Sequence, residues 1–180
     1  MARPPRARES VLDAFERLLV DEGEGAATMD AAARAAGVSK GGLLYHFASK
    51  DALEAALIER LTVLVDEDVA AMASAPEGPV AFFVRTSVMD DDPLDRALIA
   101  TSRLAQAGHA DAAAALRDVR TRWEEALRPH VRDAAALDLV LLVSDGLYYN
   151  NALSGTAVAG PIPHGAGLDE PIALVEAAVR

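Results

Sequence analysis

The chain has no cysteine, which excludes disulfides and thiolate-ligated metal centres. Aromatic residues make up only 4% of its 180 positions, β-branched runs are short, and no hairpin dipeptide sits between alternating segments, so strand signals are missing. The longest apolar run, "LDLVLLVSDGLYY", is interrupted by Asp138 and Asp145 and is too short to span a bilayer. The basic start "MARPPRARES" is followed by no apolar segment of the signal-peptide kind. A soluble cytoplasmic protein with no membrane partner is therefore expected. Lysine is almost absent as well: the chain carries only Lys40 and Lys50.

What remains is 52% apolar, with enough core material for one ordinary domain or a small module joined to a larger one. A net charge of −11 argues against nucleic acid only if it is spread evenly, and it is not. Residues 1–60 hold eight Lys/Arg against ten Asp/Glu, while 61–180 hold nine against eighteen. Phosphate binding depends on local cations, so an acidic body is compatible with a DNA-binding head. Arg3, Arg6 and Arg8 form a basic arm with no acid among the first eight residues. Such an arm suits phosphates or the minor groove, or is a solubilising tail.

Helical spacing recurs along almost the whole length. Val11, Leu12, Phe15, Leu18 and Leu19 predict a helix over 9–22 that stops at Gly23. Thr28 is placed to cap a short helix over 29–36, and Ser39 a second one reaching Phe47. Ser49 caps a long helix running to Ala73, with Asp51 in its first turn and Leu53, Leu57, Leu61, Leu64 and Val65 on one stripe. After the linker "SAPEGP", helices are expected at 79–89, 93–107, 110–128, 133–154 and 169–179. Pro93 reads as a first helical residue behind an acidic cap formed by "MDDD". The Gly/Pro-rich stretch 154–167 is a long loop of the kind that is usually functional or mobile.

The two short helices make a tight corner at "AGVS", with Gly37 available for positive φ and Val38 for the angle between them. Leu43 and Phe47 lie four apart and share an inward face, leaving Lys40, Gly41, Gly42, Leu44, Tyr45 and His46 elsewhere. Glycine costs about 1 kcal/mol relative to alanine in a helix, and close approach of a partner would explain two of them. Spacing alone leaves a DNA-reading helix-turn-helix and an ordinary helical hairpin both open.

The stretch "TMDAAARAAGVSKGGLLYHFASKDALEAAL" (28–57), preceded by "VLDAFERLLVDEG" (11–23), resembles the N-terminal domain of the TetR family of transcriptional repressors. Thr28 and Gly37-Val38-Ser39 match the turn-bearing segment; Leu43, His46, Phe47 and Ser49-Lys50 match the recognition helix and the entry to helix four. The resemblance implies an all-α fold. A three-helix helix-turn-helix domain would occupy 1–48, and an antiparallel helical ligand-binding and dimerisation domain 49–180, with the helix 49–73 connecting them. It implies a homodimer bound to a palindromic double-stranded operator, and release by a small-molecule effector that the sequence does not identify. Thr28, Ser39, Lys40, Gly41, Gly42, Leu44, Tyr45, His46 and Lys50 are then the DNA-binding candidates, Lys50 as a phosphate contact and Lys40 and Tyr45 nearest the bases. Three positions depart from the family pattern: Gly42 replaces a frequent threonine, Leu44 a phosphate-binding tyrosine, and Ala32 a larger aliphatic residue.

In the remaining helices, Phe82, Phe83, Arg103, Trp123, Asp145, Tyr148 and Tyr149 are the candidate lining of an effector pocket, mostly apolar with a few polar anchors. A buried Asp145 would need Arg103 or Arg120 as partner. Residues 133–154 are apolar nearly all round, which predicts burial on several sides. In the resembled family the last two helices pair with their two-fold mates, so Leu137, Leu141 and Tyr148 line either that interface or the domain core. An enzyme is not expected: His46, His109, His130 and His164 lack metal-ligand spacing, and no phosphate-binding glycine loop or nucleophile elbow is present. No cofactor is implied. The competing reading is a helical small-molecule- or partner-binding protein whose TetR-like head no longer binds DNA.

Overall fold

The first helix, α1 (Pro4–Glu22), starts on prolines, which a first helical turn tolerates because its N–H groups have no intrahelical partner. The computed structural model describes residues 4–88, 92–152 and 163–180. The chain leaves α1 at Gly23, whose φ of 84° an L side chain rarely adopts. Thr28 then caps α2 (Met29–Ala35), its hydroxyl accepting from Ala31 N at 3.2 Å. Gly37 turns the corner with φ 68°, and Ser39 caps α3 (Lys40–His46) by accepting from Gly42 N at 3.1 Å. Ser49 caps α4 (Lys50–Ser74) in the same way through Ala52 N at 3.2 Å. Three successive hydroxyl caps thus define where the first helices start.

The later helices are α5 (Pro79–Thr86), α6 (Pro93–Gln106), α7 (Ala110–Leu127), α8 (Ala134–Ala152) and α9 (Asp169–Val179). Asp92 and Asp95 form a reciprocal capping box behind Pro93, as the acidic run anticipates. Met89, Asp90 and Asp91 of that run lie outside the described residues, as do Arg3 and positions 154–162 of the Gly/Pro loop. Among the described residues every regular element is helical and none is a strand.

Packing divides the chain into two units. The first comprises residues 1–65 and 92–119, so α6 and the start of α7 join the head. Its core is built from Val11, Leu12, Phe15 and Leu19 of α1, Ala32 and Ala33 of α2, Leu43 and Phe47, Leu53 and Leu57 of α4, and Ala100 and Leu104 of α6. Burying one leucine or phenylalanine contributes about 1.5–3 kcal/mol. Leu43 and Phe47 therefore outweigh the two glycines, each worth about 1 kcal/mol against the helix, and set the register of α3. Polar ties reinforce this unit. Glu16, only 4% exposed, takes Arg60 of α4 at 3.1 Å and Arg96 of α6 at 3.6 Å. Arg60 also reaches Glu9 and Asp13 of α1 at 2.9 and 2.8 Å. Burial works against its charge, yet the bonds to Glu16, Asp13 and Glu9 together push the guanidinium above its usual range.

The second unit comprises residues 66–91 and 120–180. Phe83 and Val84 of α5, Leu137, Val140 and Leu141 of α8, and Ile172, Val175 and Val179 of α9 meet in its core. Arg85 clasps Glu77 at 3.3 Å and Asp169 at 2.9 Å, tying α5 to the start of α9. Arg132 N bonds to Val179 O at 2.9 Å and holds the end of α9 against the α7–α8 connection. Within the single chain α8 is buried along one side: Leu137 and Leu141 face the core while Leu139, Leu142 and Tyr149 stand in solvent. A helix with apolar residues on every side need not be enclosed by its own unit, and this one is covered on one side only.

Candidate nucleic-acid interface

The corner between α2 and α3 follows from its sequence. Phe47 N bonds back to Leu43 O at 2.9 Å and closes α3 with both apolar side chains inward. With that face buried, the opposite face must carry what remains. Tyr45 is 81% exposed and Leu44 45%, the first with its ring edge-on to His46 at 5.1 Å. Lys40, at the first position of α3, is exposed and pairs with Asp30 of α2 at 2.9 Å. Asp30 has no sequence signal that marks it as a partner.

The glycines separate into two cases. A Cβ built on Gly41 meets nothing within 4 Å, so the fold itself does not call for glycine there. A Cβ on Gly42 comes within 3.3 Å of Ser39 Oγ, the capping hydroxyl, so Gly42 serves the cap. Thr28 and Ser39 both accept backbone N–H groups, and a hydroxyl that accepts can still donate its own proton to a phosphate oxygen. Of the basic arm, Arg8 lies over the Phe47 ring at 5.1 Å and pairs with Glu9 at 3.0 Å, so it packs on the head.

Lys50 opens α4 and is partly exposed. Its ammonium pairs closely with Glu24 of the α1–α2 connection and stands 3.8 Å from Glu54, one turn further along α4. His109, in the turn between α6 and α7, completes the group: Nδ1 lies 3.1 Å from Glu54 and Nε2 4.0 Å from Glu24. The hydrogen bond from Lys50 holds the Glu24 carboxyl below its ordinary range. Burial pushes Glu54 up, against the pull of His109 and Lys50. Lys50 and Glu54 lie four apart on one helix, but no spacing announces that Glu24 and His109 join them.

The aromatic residues of the second unit are scattered between core and surface. Phe83 is buried edge-on to Trp123 at 5.5 Å, and the Trp123 indole N–H donates to Asp68 at 2.9 Å. Phe82 and Tyr148 are half-buried, while Tyr149 is exposed. Asp145 meets Arg120 through both carboxylate oxygens at 2.8 and 2.9 Å, on an exposed side of α8 rather than in a cavity. Arg103 belongs to the first unit and is exposed.

Two family models match the chain. Residues 11–57 match that of the bacterial regulatory proteins of the tetR family, and residues 77–160 that of a tetracyclin repressor-like C-terminal domain. No curated protein matches. Among solved structures, a transcriptional regulator from Rhodococcus sp. Rha1 superposes with a TM-score of 0.65 at 20% identity, covering 99% of this chain and 96% of that one. A second Rhodococcus protein, assigned as a TetR-family transcriptional regulator, gives 0.59 at 16% identity over 96% and 98%. A Streptomyces coelicolor A3(2) protein, assigned as a transcriptional regulator, gives 0.60 at 26% identity over 97% and 96%.

Proposed function

The chain belongs to the TetR family of bacterial regulatory proteins, and on that premise we propose that it is a homodimeric, DNA-binding repressor released by a small ligand. Residues 1–48 bind operator DNA and residues 49–180 carry regulation and dimerisation. The observation that carries the reading is the outward face of α3. Lys40, Leu44 and Tyr45 stand exposed on a helix whose other face is locked into the core by Leu43 and Phe47. Lysine donates to guanine O6 and N7, leucine packs on a thymine methyl, and tyrosine serves either a methyl or a phosphate. Thr28, Ser39, His46 and Lys50 take backbone phosphates, which fixes register without reading sequence.

Dimerisation is supported by the uncovered apolar residues. Leu142 of α8 and Leu174 of α9 are 67% and 68% exposed, with Leu139 and Tyr149 beside Leu142 on α8. α8 and α9 pack on each other, and a second copy related by a two-fold axis would bury both faces at once. Two recognition helices then meet two half-sites, so the operator is a palindrome. The ligand, taken up among the helices of the second unit near Phe82, Phe83, Trp123 and Tyr148, favours a dimer whose heads no longer match those half-sites. α4 and α7 each continue from one unit into the other and carry the shift. Such a regulator works in the cytoplasm.

A head that has lost DNA binding is the second reading, favoured by Leu44 in place of a polar contact and by the acids that hold Lys50. Selection of duplexes from a random-sequence pool separates the two. A regulator enriches a palindromic site whose affinity falls steeply with salt; a head without that function enriches nothing.

A further inference from the structure

Lys50 sits between two carboxylates and a histidine contributed by three different parts of the first unit. Glu24 comes from the α1–α2 connection, Glu54 from α4, and His109 from the turn between α6 and α7. With a neutral imidazole, two negative charges share one ammonium, and a phosphate must compete with both for Lys50. His109 relieves this: Nδ1 is 3.1 Å from one carboxylate oxygen of Glu54, and an N–H donated there offsets charge that Lys50, 3.8 Å from the other oxygen, would otherwise face alone. Glu24 is left as the principal competitor of the phosphate. We propose that His109 is a positioning residue for DNA binding, which releases Lys50 to the DNA backbone by engaging Glu54.

The inference rests on the DNA-binding reading above and gives the α6–α7 turn a part in it. Gly108, with φ 98°, and the bond from His109 N to Leu104 O at 3.1 Å fix the turn that aims the imidazole. A displacement of this turn withdraws His109 and leaves both carboxylates on Lys50. Protonation acts in the opposite sense. The charged groups facing His109 are Glu24 of the α1–α2 connection and Glu54 of α4, with Lys50 and Asp51 of α4 in the same electrostatic group. An imidazolium makes the charges of Glu24, Glu54, Lys50 and His109 balance, so Lys50 is given up to a phosphate more readily.

The test uses the full-length protein and a labelled duplex selected by the wild type from a random-sequence pool. Glu24→Gln is compared with Glu22→Gln, which makes the same change in charge at an exposed position on α1. We expect Glu24→Gln to bind about threefold more tightly than Glu22→Gln, the scale of a screened ion pair. His109→Ala is expected to bind about threefold more weakly than wild type. In a Lys50→Met background Glu24→Gln should bind no more tightly than Glu22→Gln and His109→Ala should not weaken binding, an outcome that a purely structural role for His109 would not give. The proposal is overturned if Glu24→Gln and Glu22→Gln bind alike, or if the His109→Ala defect persists without Lys50. A wild type that enriches no duplex overturns the DNA-binding reading itself, and this is seen before any variant is made.

Discussion

Lys40 Nζ stands 2.9 Å from Asp30 Oδ1, joining the first residue of α3 to the first turn of α2. Both side chains are more than half exposed, and an exposed pair of this kind is worth about 0–1 kcal/mol. A good lysine contact to guanine is worth about 1–3 kcal/mol, so on the proposed reading a guanine would draw Lys40 from Asp30. Lys40→Ala is expected to weaken operator binding by about 1–3 kcal/mol and to relax the preference at one base pair per half-site. Repeating the duplex selection with the variant checks this: an unchanged consensus would place Lys40 away from the bases.

Gly41 predicts a trade between stability and binding. Its Cβ would meet nothing, so Gly41→Ala should stabilise the free protein by up to about 1 kcal/mol through helix propensity. The same methyl stands on the face offered to DNA and should weaken operator binding. Thermal unfolding and a binding isotherm on one preparation decide it. A variant that gains stability with unchanged affinity would mean that the glycine is not there for clearance.

Glu16 is the buried acid on which Arg60 and Arg96 converge. Replacing it with alanine removes one of the three carboxylates around Arg60 and one carboxylate contact of Arg96. The expected loss is about 1.5–3 kcal/mol of unfolding free energy, the range for a hydrogen bond to a charged group. Asp21→Ala, an exposed acid of the same helix, should stay within about 0.5 kcal/mol of wild type in urea titration.

Leu142→Arg puts a charge on the uncovered face of α8 without touching the core. The variant should remain folded, elute as a monomer in light-scattering chromatography, and lose affinity for a two-half-site duplex far more than for a single half-site. A variant that stays dimeric would move the interface off α8.

The pair between Glu24 and Lys50 has a definite pH signature. The folded-state value of Glu24 lies below its ordinary range because Lys50 bonds its carboxylate. Its stabilising contribution is therefore complete above about pH 5 and lost as pH falls through the depressed value. The difference in melting temperature between wild type and Glu24→Gln should be largest near neutrality and close towards about pH 3. Glu54, raised by burial, has the opposite slope but is common to both proteins. A difference that does not change with pH would remove Glu24 as the cause.

Much of the architecture was legible because local chemistry settles it. Thr28, Ser39, Ser49 and Asp92 are caps whose partners lie three residues away, and Gly37 answers a local need for positive φ. The inward pair Leu43 and Phe47 is a matter of helical period. The contacts that qualify the site are of another kind. His109 and Glu54 are 55 positions apart, and no pattern within either segment points to the other. Glu16 looks like any acid on an amphipathic helix until α4 and α6 close over it. α6 offers Ala97, Ala100 and Leu104 as an apolar stripe, but a stripe does not name its partner, and it packs with the head. For α8, apolar residues nearly all round predict burial on several sides, and Leu142 and Tyr149 remain uncovered in a single chain because the pattern does not say whether the covering element is the same chain or another.

The central claim is that the outward face of α3 reads double-stranded DNA while Lys50 holds its backbone. The most direct measurement is the dependence of affinity on salt for the selected duplex, in wild type, Tyr45→Ala and Lys50→Ala. The account predicts a steep fall of log K with log salt for wild type, and a slope smaller by about one for Lys50→Ala. Tyr45→Ala should bind weakly with its melting temperature unchanged, since its side chain supports nothing in the core. Binding that is insensitive to salt, or equal in all three proteins, would contradict it.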